Sequence, residues 1–501
     1  MIHFFGILPE KPYLRSANQH RMQQKSTLST RIGWTMTLLG AVTCFVFFQY
    51  FYPYHLQHRE QTMLFLCNAD YIAQQYSYTQ SGFLSRLIGD FLQQFFYYLV
   101  AGPAIIAVLL ILIGVLTYQI ISKISSNRWN SCFAYIAAIC CMLWEGSREC
   151  LPEYPLASTI QVLGWLLLFR LALIPKSIRN KSLLIVVNGI LCAYIFGSGN
   201  LPSAKLYGKP DMILEHQMAL DVEASYGHWD KVEELTQDNR PYNIDIYYHN
   251  LSLAMRNALT DNMFERHQNF TDGLFLPVNE NGNFFLFSAA GEAWWAVGDL
   301  TMAEHATLLG MIFSPRHTGT RNLRRLAEIN LAKGDQPAAM KYLRLLQQTI
   351  PHRQWAEARM QQAQSQSYQS KIQSTSDTLR LSTQTQRSLR NLLDCHPNNI
   401  RAMQYLISYD LLTKDMISFA DDIERYGNVI NSRVIEEAML IVMTARPEKR
   451  ELWHDYIQES TFREFQTFNT IFDQTKGNPQ ALKAQFGNTY WYYMQFVKNE
   501  K

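Results

Sequence analysis

The sequence predicts an all-α protein in which about five transmembrane helices precede an α-solenoid similar to tetratricopeptide repeats. Three observations predict this. Long apolar stretches are confined to the first 200 of the 501 residues, and every second segment that flanks them is basic. A helix-pair motif repeats in the later part of the chain. Because a single hydrophobic core rarely grows beyond about 250–300 residues, more than one domain is expected.

Five apolar stretches approach the roughly 20 residues that cross the core of a bilayer. They cover residues 32–52, 96–120, 129–144, 156–174 and 183–196. The third and fifth stretches are short, so flanking residues or local thinning of the bilayer would complete them. We therefore assign residues 1–31 to a cytoplasmic tail and residues 32–200 to a transmembrane domain. Its outer loop, residues 55–94, is expected to carry an amphipathic helix on the membrane surface.

The distribution of lysine and arginine predicts the orientation, because cytoplasmic segments of membrane proteins are enriched in these residues. The N-terminal tail is basic, and so are the segments that follow the second and fourth stretches, whereas the alternate segments also carry acids. The basic residues are Lys11, Arg15, Arg21, Lys25 and Arg31, then Lys123 and Arg128, and finally Lys176, Arg179 and Lys181. A cytoplasmic N-terminus and five spans place the C-terminal part outside the cytoplasm.

Charge and cysteine usage narrow the function of the C-terminal part. Residues 1–200 contain 14 Lys/Arg and 7 Asp/Glu, which leaves 31 and 35 for residues 201–501. A mildly acidic domain of this kind argues against nucleic acid as a partner. Cys395 is its only cysteine, so neither a disulfide framework nor a zinc site is expected there. We predict no metal and no cofactor.

Two windows offset by 36 residues carry the repeat. Each combines large apolar residues, small residues at a helix–helix contact, a turn glycine, an alanine on the second helix and a closing proline, as in tetratricopeptide repeats. The matched residues are Phe287, Ala290, Gly291, Trp294, Gly298, Ala303, Gly310 and Pro315, and then Leu323, Leu326, Ala327, Asn330, Gly334, Ala339, Leu346 and Pro351. Glycine permits the tight reversal between the two helices.

The repeat pattern divides the C-terminal part into three regions. We assign residues 201–360 and 388–501 to helical repeats, and residues 361–387, rich in Gln and Ser, to a polar connection that is either a helix or a hinge. The aromatic run at residues 490–493 is expected to cap the solenoid; a ligand platform is the alternative.

Several segments resemble an uncharacterised family of multi-pass bacterial membrane proteins, a domain-of-unknown-function group. They are Glu60, Gln61 and Phe65, residues 91–98 (FLQQFFYY), residues 388–393 (SLRNLL), Asn398 and Asn399 with Tyr405 and Leu406, residues 411–415 (LLTKD), and residues 489–493 (TYWYY). The resemblance implies the inner membrane of a Gram-negative cell, with the C-terminal domain in the periplasm. It supplies no activity.

The leading functional interpretation is a membrane-anchored scaffold that binds a protein or peptide of the cell envelope. Repeat solenoids present extended concave surfaces to partners. The expected groove residues are Tyr247, Asn250, Trp294 and Asn330. The sequence contains no phosphate-binding glycine loop, His-Glu-x-x-His, Cys-x-x-Cys or Gly-x-Ser-x-Gly motif. We interpret Glu215, His216 and Asp221 as a solvated helix face.

Two alternatives stay open. Asp70, in the first outer loop, could act as a general base if the chain were an envelope enzyme, because its layout resembles that of multi-pass lipid-linked glycosyltransferases. The chain could also be a structural subunit of a larger membrane complex, whose partners would shield its short helices.

Overall fold

The computed structural model is helical in every regular element among the residues that it describes. These are residues 33–124, 128–173, 186–197 except 188 and 192, 210–277 except 239 and 269, 284–365, 384–427 and 432–498. The N-terminal tail, most of the polar connection at 361–387 and the basic residues at 176–181 lie outside them.

The chain divides into two compact units. The N-terminal unit comprises residues 1–56 and 72–210, and the C-terminal unit comprises residues 57–71 and 211–501. Residues 57–71, which the sequence analysis assigned to the outer loop of the membrane domain, thus pack with the C-terminal helices. We call them the docked segment.

Seven helices have defined bounds in and around the N-terminal unit. They are α1 (Gly33–Phe51), α2 (Pro53–Gln61), α3 (Ala69–Gln75), α4 (Phe83–Gln93), α5 (Ala101–Ile124), α6 (Arg128–Glu149) and α7 (Leu156–Ala172). Two of them, α1 and α5, are long and apolar enough to cross a membrane, whereas α7 is a shorter apolar helix. The fifth predicted span falls on residues that the structure describes only in part.

The predicted helix of the outer loop is confirmed as α4, although its position on a membrane surface stays a prediction. A Cβ added to Gly89 would lie 2.6 Å from the backbone of Ala157, so α4 and α7 are in close contact. Asp90 is buried on the same helix and accepts a hydrogen bond of 2.8 Å from the hydroxyl of Tyr76.

Seventeen further α-helices are described in the C-terminal unit. They are α8 (Met212–Tyr226), α9 (Trp229–Leu235), α10 (Asn243–Met255), α11 (Leu259–Asn262), α12 (Phe284–Val297), α13 (Leu300–Ile312), α14 (Thr320–Lys333), α15 (Gln336–Gln347), α16 (Arg353–Gln364), α17 (Thr385–Cys395), α18 (Ile400–Thr413), α19 (Met416–Tyr426), α20 (Arg433–Ala445), α21 (Arg450–Trp453), α22 (Glu459–Gln474), α23 (Pro479–Phe486) and α24 (Tyr490–Phe496).

Both predicted repeat windows form two helices joined by a tight turn. Gly298 and Gly334 have φ of 90° and 78°, a left-handed conformation that costs glycine little. Asp299 and Asp335 follow them and cap α13 and α15, each accepting a hydrogen bond from a backbone N–H in the first turn. The local sequence therefore determines where each hairpin reverses.

The aromatic run near the C-terminus packs inside the unit. Tyr490, Trp491 and Tyr493 are buried. The Trp491 indole donates a hydrogen bond of 2.9 Å to the carbonyl of Glu437, and the Tyr490 hydroxyl donates one of 3.1 Å to the carbonyl of Leu411. These contacts show that the aromatic side chains of α24 pack against neighbouring helices and do not form an exposed ligand platform.

Candidate functional site

After α2 ends, the docked segment continues without regular secondary structure through residues 63–68 and is hydrogen-bonded to the C-terminal helices and the turns between them. The Met63 carbonyl accepts a hydrogen bond of 3.0 Å from the backbone of Thr320, and the Cys67 N–H donates one of 2.8 Å to the carbonyl of Gln348. Just before Met63, the Thr62 carbonyl accepts one of 3.2 Å from the Ser314 hydroxyl. The C-terminal unit thus binds this irregular segment through its main chain at three points.

Buried polar side chains reinforce this docking. One Glu60 carboxylate oxygen lies 3.0 Å from His352 Nε2 and accepts a hydrogen bond of 3.0 Å from the Thr320 hydroxyl. Gln61 donates one of 3.2 Å to the hydroxyl of Ser225. Because Glu60 and His352 are almost completely buried, removing either would cost the other one buried hydrogen bond, about 1–3 kcal/mol.

Gly319 lies in close contact with the docked segment. A Cβ built on it would lie 2.5 Å from the main-chain carbonyl oxygen of Gln61. Its φ of 175° is ordinary extended backbone, so the constraint is steric. Any larger residue would push the segment away.

We expect Gly319→Ala to loosen the docked segment, since overpacking of this kind costs about 1–3 kcal/mol. In hydrogen-exchange mass spectrometry of the full chain, the Cys67 amide should exchange about tenfold faster, the factor that corresponds to roughly 1.4 kcal/mol. Gly189→Ala is the control, because its new methyl would meet open space. Unchanged protection of Cys67 in Gly319→Ala would refute the steric argument.

A buried charge network lies beside the docked segment. The Arg321 guanidinium forms ion pairs with Asp221 and, at 3.3 Å, with Glu292. The Tyr248 hydroxyl also donates a hydrogen bond to Asp221. All four side chains are nearly or fully buried. Asp221 therefore does not belong to a solvated face as the sequence analysis held, because it neutralises an arginine from a distant helix.

His58, from the docked segment, completes this network. Its Nε2 lies 4.0 Å from a carboxylate oxygen of Asp221 and has no hydrogen-bond partner among the described residues. Burial lowers the pKa of His58 to about 4, with Asp221 opposing the shift and Arg321 adding to it. The imidazole is therefore neutral near pH 7 and adds no charge to the network.

Helix α14, which carries Arg321, also carries Arg324 and Arg325. Arg325 pairs with Glu292 at 2.5 Å and with Glu328 at 2.6 Å. The guanidinium of Arg324 instead lies over two aromatic rings, 4.9 Å from the centre of Tyr226 and 4.6 Å from that of Trp355.

These side chains border a small charged cleft. It is lined by Gln61, Ser225, Tyr226, Glu292, Arg321, Arg324, Arg325, Glu328 and His352. Its interior space is about 10 Å³, enough for roughly one water molecule. Pockets for small-molecule ligands are typically about 300–1,000 Å³, so the cleft receives at most a small polar group from a larger ligand.

The four predicted groove residues are all buried. Tyr247 donates a hydrogen bond of 2.6 Å to the carbonyl of Ala289, and Asn250 donates one of 2.9 Å to that of Gly273.

The other two are equally enclosed. Trp294 stacks on Phe275 with ring centres 4.3 Å apart. Asn330 donates a hydrogen bond of 2.7 Å to the carbonyl of Leu326. All four predicted groove residues thus lie in the interior of the C-terminal unit. They do not line an open groove, because each already contacts a partner inside the protein.

Asp70, the alternative catalytic residue, is exposed at the start of α3. Its backbone N–H donates a hydrogen bond of 2.9 Å to the Asn68 side chain, which caps the helix. Within the described ranges, no group of three or more His, Cys, Asp or Glu side chains is arranged to hold a metal ion.

Sequence reasoning overlooked the arginines of α14. Arg321, Arg324 and Arg325 are spaced three and four residues apart, so they share one helix face. That spacing was readable in the sequence. Their partners were not, because Asp221 is 100 residues away along the chain and Glu292 lies on a different helix, 29 residues from Arg321.

Among the residues that the structure describes, the regular elements are all helices, two of which could cross a membrane. The C-terminal unit binds the chain's own docked segment beside a charged cleft. The chain belongs to a family of unknown function (DUF6057), whose model matches residues 28–206 and 201–497. This confirms the expected membership of an uncharacterised family. No curated protein and no solved structure matches the chain.

Proposed function

We propose that this protein is a membrane-anchored scaffold whose C-terminal unit binds a protein or peptide partner in the cell envelope. In this proposal, the N-terminal part crosses the bacterial inner membrane about five times and the C-terminal unit is a tetratricopeptide-like solenoid in the periplasm. The observation that carries it is the binding of the docked segment, because a helical unit that binds one irregular segment through its main chain has the chemistry to bind another.

The exposed apolar side chains of α1 support the membrane anchor. Trp34, Leu38 and Leu39 each expose more than 60% of their surface, and only 6% of the most apolar window of α1 is buried. Soluble proteins rarely expose contiguous apolar surface on this scale. A lipid environment would cover it, and this makes the bilayer the first partner of the chain.

The solenoid proposal rests on the two helix hairpins with equivalent turns. Gly291 shows how closely the first pair packs, because a Cβ added there would lie 3.3 Å from the Thr307 hydroxyl of the next helix. In the second pair, Ala327 and Ala339 are fully buried. Small residues at matching positions let the helices of each pair approach, and stacked pairs would then form a continuous surface.

In-cell photo-crosslinking tests the function. We would place a photoreactive amino acid at Gln354, which is exposed and adjoins Trp355, the residue on which Arg324 of the cleft stacks. The matched control position is Gln466, exposed on α22. We expect a reproducible crosslink to one periplasmic or membrane protein from position 354 and none from 466. Identical adducts from both positions, or no adduct in growing cells, would count against the scaffold.

A further inference from the structure

Arg324 differs from the other two arginines of the charged cleft in its partners. Arg321 is shared by Asp221 and Glu292, and Arg325 by Glu292 and Glu328. Arg324 forms no ion pair or hydrogen bond with any described residue, and its Nε is buried without an acceptor. A half-buried guanidinium is thus left with donors that the protein does not use.

The aromatic rings hold the Arg324 guanidinium in place but do not accept hydrogen bonds from the N–H groups along its edge. Stacking on Tyr226 and Trp355 holds the plane of the guanidinium but leaves the N–H groups along its edge to be paired. A planar fork of this kind matches a carboxylate, which can accept two parallel hydrogen bonds from it. The chemistry therefore favours an anionic acceptor that approaches in the plane of the side chain.

Charge and size of the cleft limit the ligand further. Its lining includes three arginines and only two glutamates, and both glutamates are already bound by arginines. The interior space of about 10 Å³ admits a group the size of a carboxylate oxygen, but not a whole metabolite. A side chain presented by a polypeptide fits these limits, because the rest of the ligand stays outside.

We propose that Arg324 anchors a site for the carboxylate of an acidic peptide segment, contributed by the partner protein. This inference rests on the proposed scaffold function and specifies how the partner is recognised. The buried Oε1 of Gln61, which has no donor among the described residues, stands at the same cleft and can accept a hydrogen bond from the main chain of that peptide.

Fluorescence anisotropy on the full chain in detergent tests the site. The probes are a labelled, end-capped glutamate-rich peptide and its counterpart with glutamine at every glutamate. We expect the glutamate peptide to bind at least about tenfold more tightly than its counterpart. Arg324→Gln should remove this difference, and Arg324→Lys should restore part of it, because lysine keeps the charge but loses the planar fork.

Controls separate recognition from folding. Arg463→Gln alters an exposed arginine that pairs with Glu459 and should leave peptide affinity unchanged. The melting temperature of Arg324→Gln should stay within a few degrees of the parent. Equal binding of both peptides, no binding of either, unchanged affinity in Arg324→Gln, or sulfate binding as tightly as the peptide would each overturn the proposal.

The crosslinking experiment distinguishes the two proposals. If Arg324→Gln left the adduct from position 354 intact, the carboxylate site would be wrong while the scaffold function stood. If the parent gave no adduct but bound the glutamate peptide through Arg324, the site would stand and the scaffold function would fall.

Discussion

Arg321→Met should destabilise the C-terminal unit by about 3–5 kcal/mol, the usual loss when one partner of a buried ion pair is removed. Methionine fills much of the space but leaves Asp221 and Glu292 without their shared cation. Asp221 is fully buried and Glu292 is 3% exposed, so water cannot replace the lost charge. Thermal unfolding of the full chain in detergent should show a transition lower by roughly 10 °C.

Second-site changes make this prediction specific. Adding Asp221→Asn to Arg321→Met should recover part of the loss, since it removes one of the uncompensated charges. Arg463→Met is the matched control. Arg463 is 74% exposed and pairs with Glu459 one turn away, so its removal should change stability by less than about 0.5 kcal/mol. A melting temperature for Arg321→Met close to the parent's would show that the network does not hold the unit together.

Asp410→Asn should make the protein more stable than the parent at alkaline pH. Asp410 is fully buried and accepts a hydrogen bond of 2.6 Å from Gln386. Arg390 binds Asp422 through both carboxylate oxygens. Burial raises the pKa of Asp410 to about 9, with Asp422 adding to the shift. The folded protein therefore keeps this carboxyl protonated at neutral pH.

The sign of the pH effect follows from the pH at which Asp410 loses its proton in the folded and in the unfolded state. An unfolded aspartate releases its proton above about pH 3.9, whereas folded Asp410 retains it up to about pH 9. The folded state thus binds more protons, and stability falls as pH rises through this window. Asparagine has no proton to lose and can still accept the hydrogen bond from Gln386. Between pH 5 and pH 8, the variant should gain on the parent by a few kcal/mol, on the order of 1.4 kcal/mol per pH unit.

Melting temperatures measured at several pH values check this prediction. Asp421→Asn is the matched control, because Asp421 is exposed on the same helix as Asp422. It should leave the pH dependence of the parent unchanged. Parallel curves for Asp410→Asn and the parent would show that Asp410 is ionised in the folded protein.

Local sequence predicted the parts of the fold that depend on neighbouring residues. Gly298 and Gly334 marked the hairpin turns because a left-handed backbone favours glycine. The aromatic run from Tyr490 was correctly interpreted as packing. The sequence predicted five membrane spans, whereas among the described residues only α1 and α5 are long and apolar enough to cross a membrane.

The candidate site was harder to predict, because burial depends on which helices meet. Tyr247, Asn250, Trp294 and Asn330 lie on helices of the predicted groove, and the helical pattern could not show that their exposed-looking faces pack inward. Asp221 has the same polar character whether it faces solvent or Arg321. One sequence contains no signal that distinguishes these environments.

The sequence by itself determined the helical class, the apolar N-terminal part, the hairpin turns and the arginine-rich face of α14, since each follows from residues within one or two helical turns. Only the tertiary structure decided that residues 57–71 belong to the C-terminal unit and that Glu60 meets His352, 292 residues later. Such contacts form because burying a charge requires a partner, and that partner can come from any part of the chain that the fold brings near.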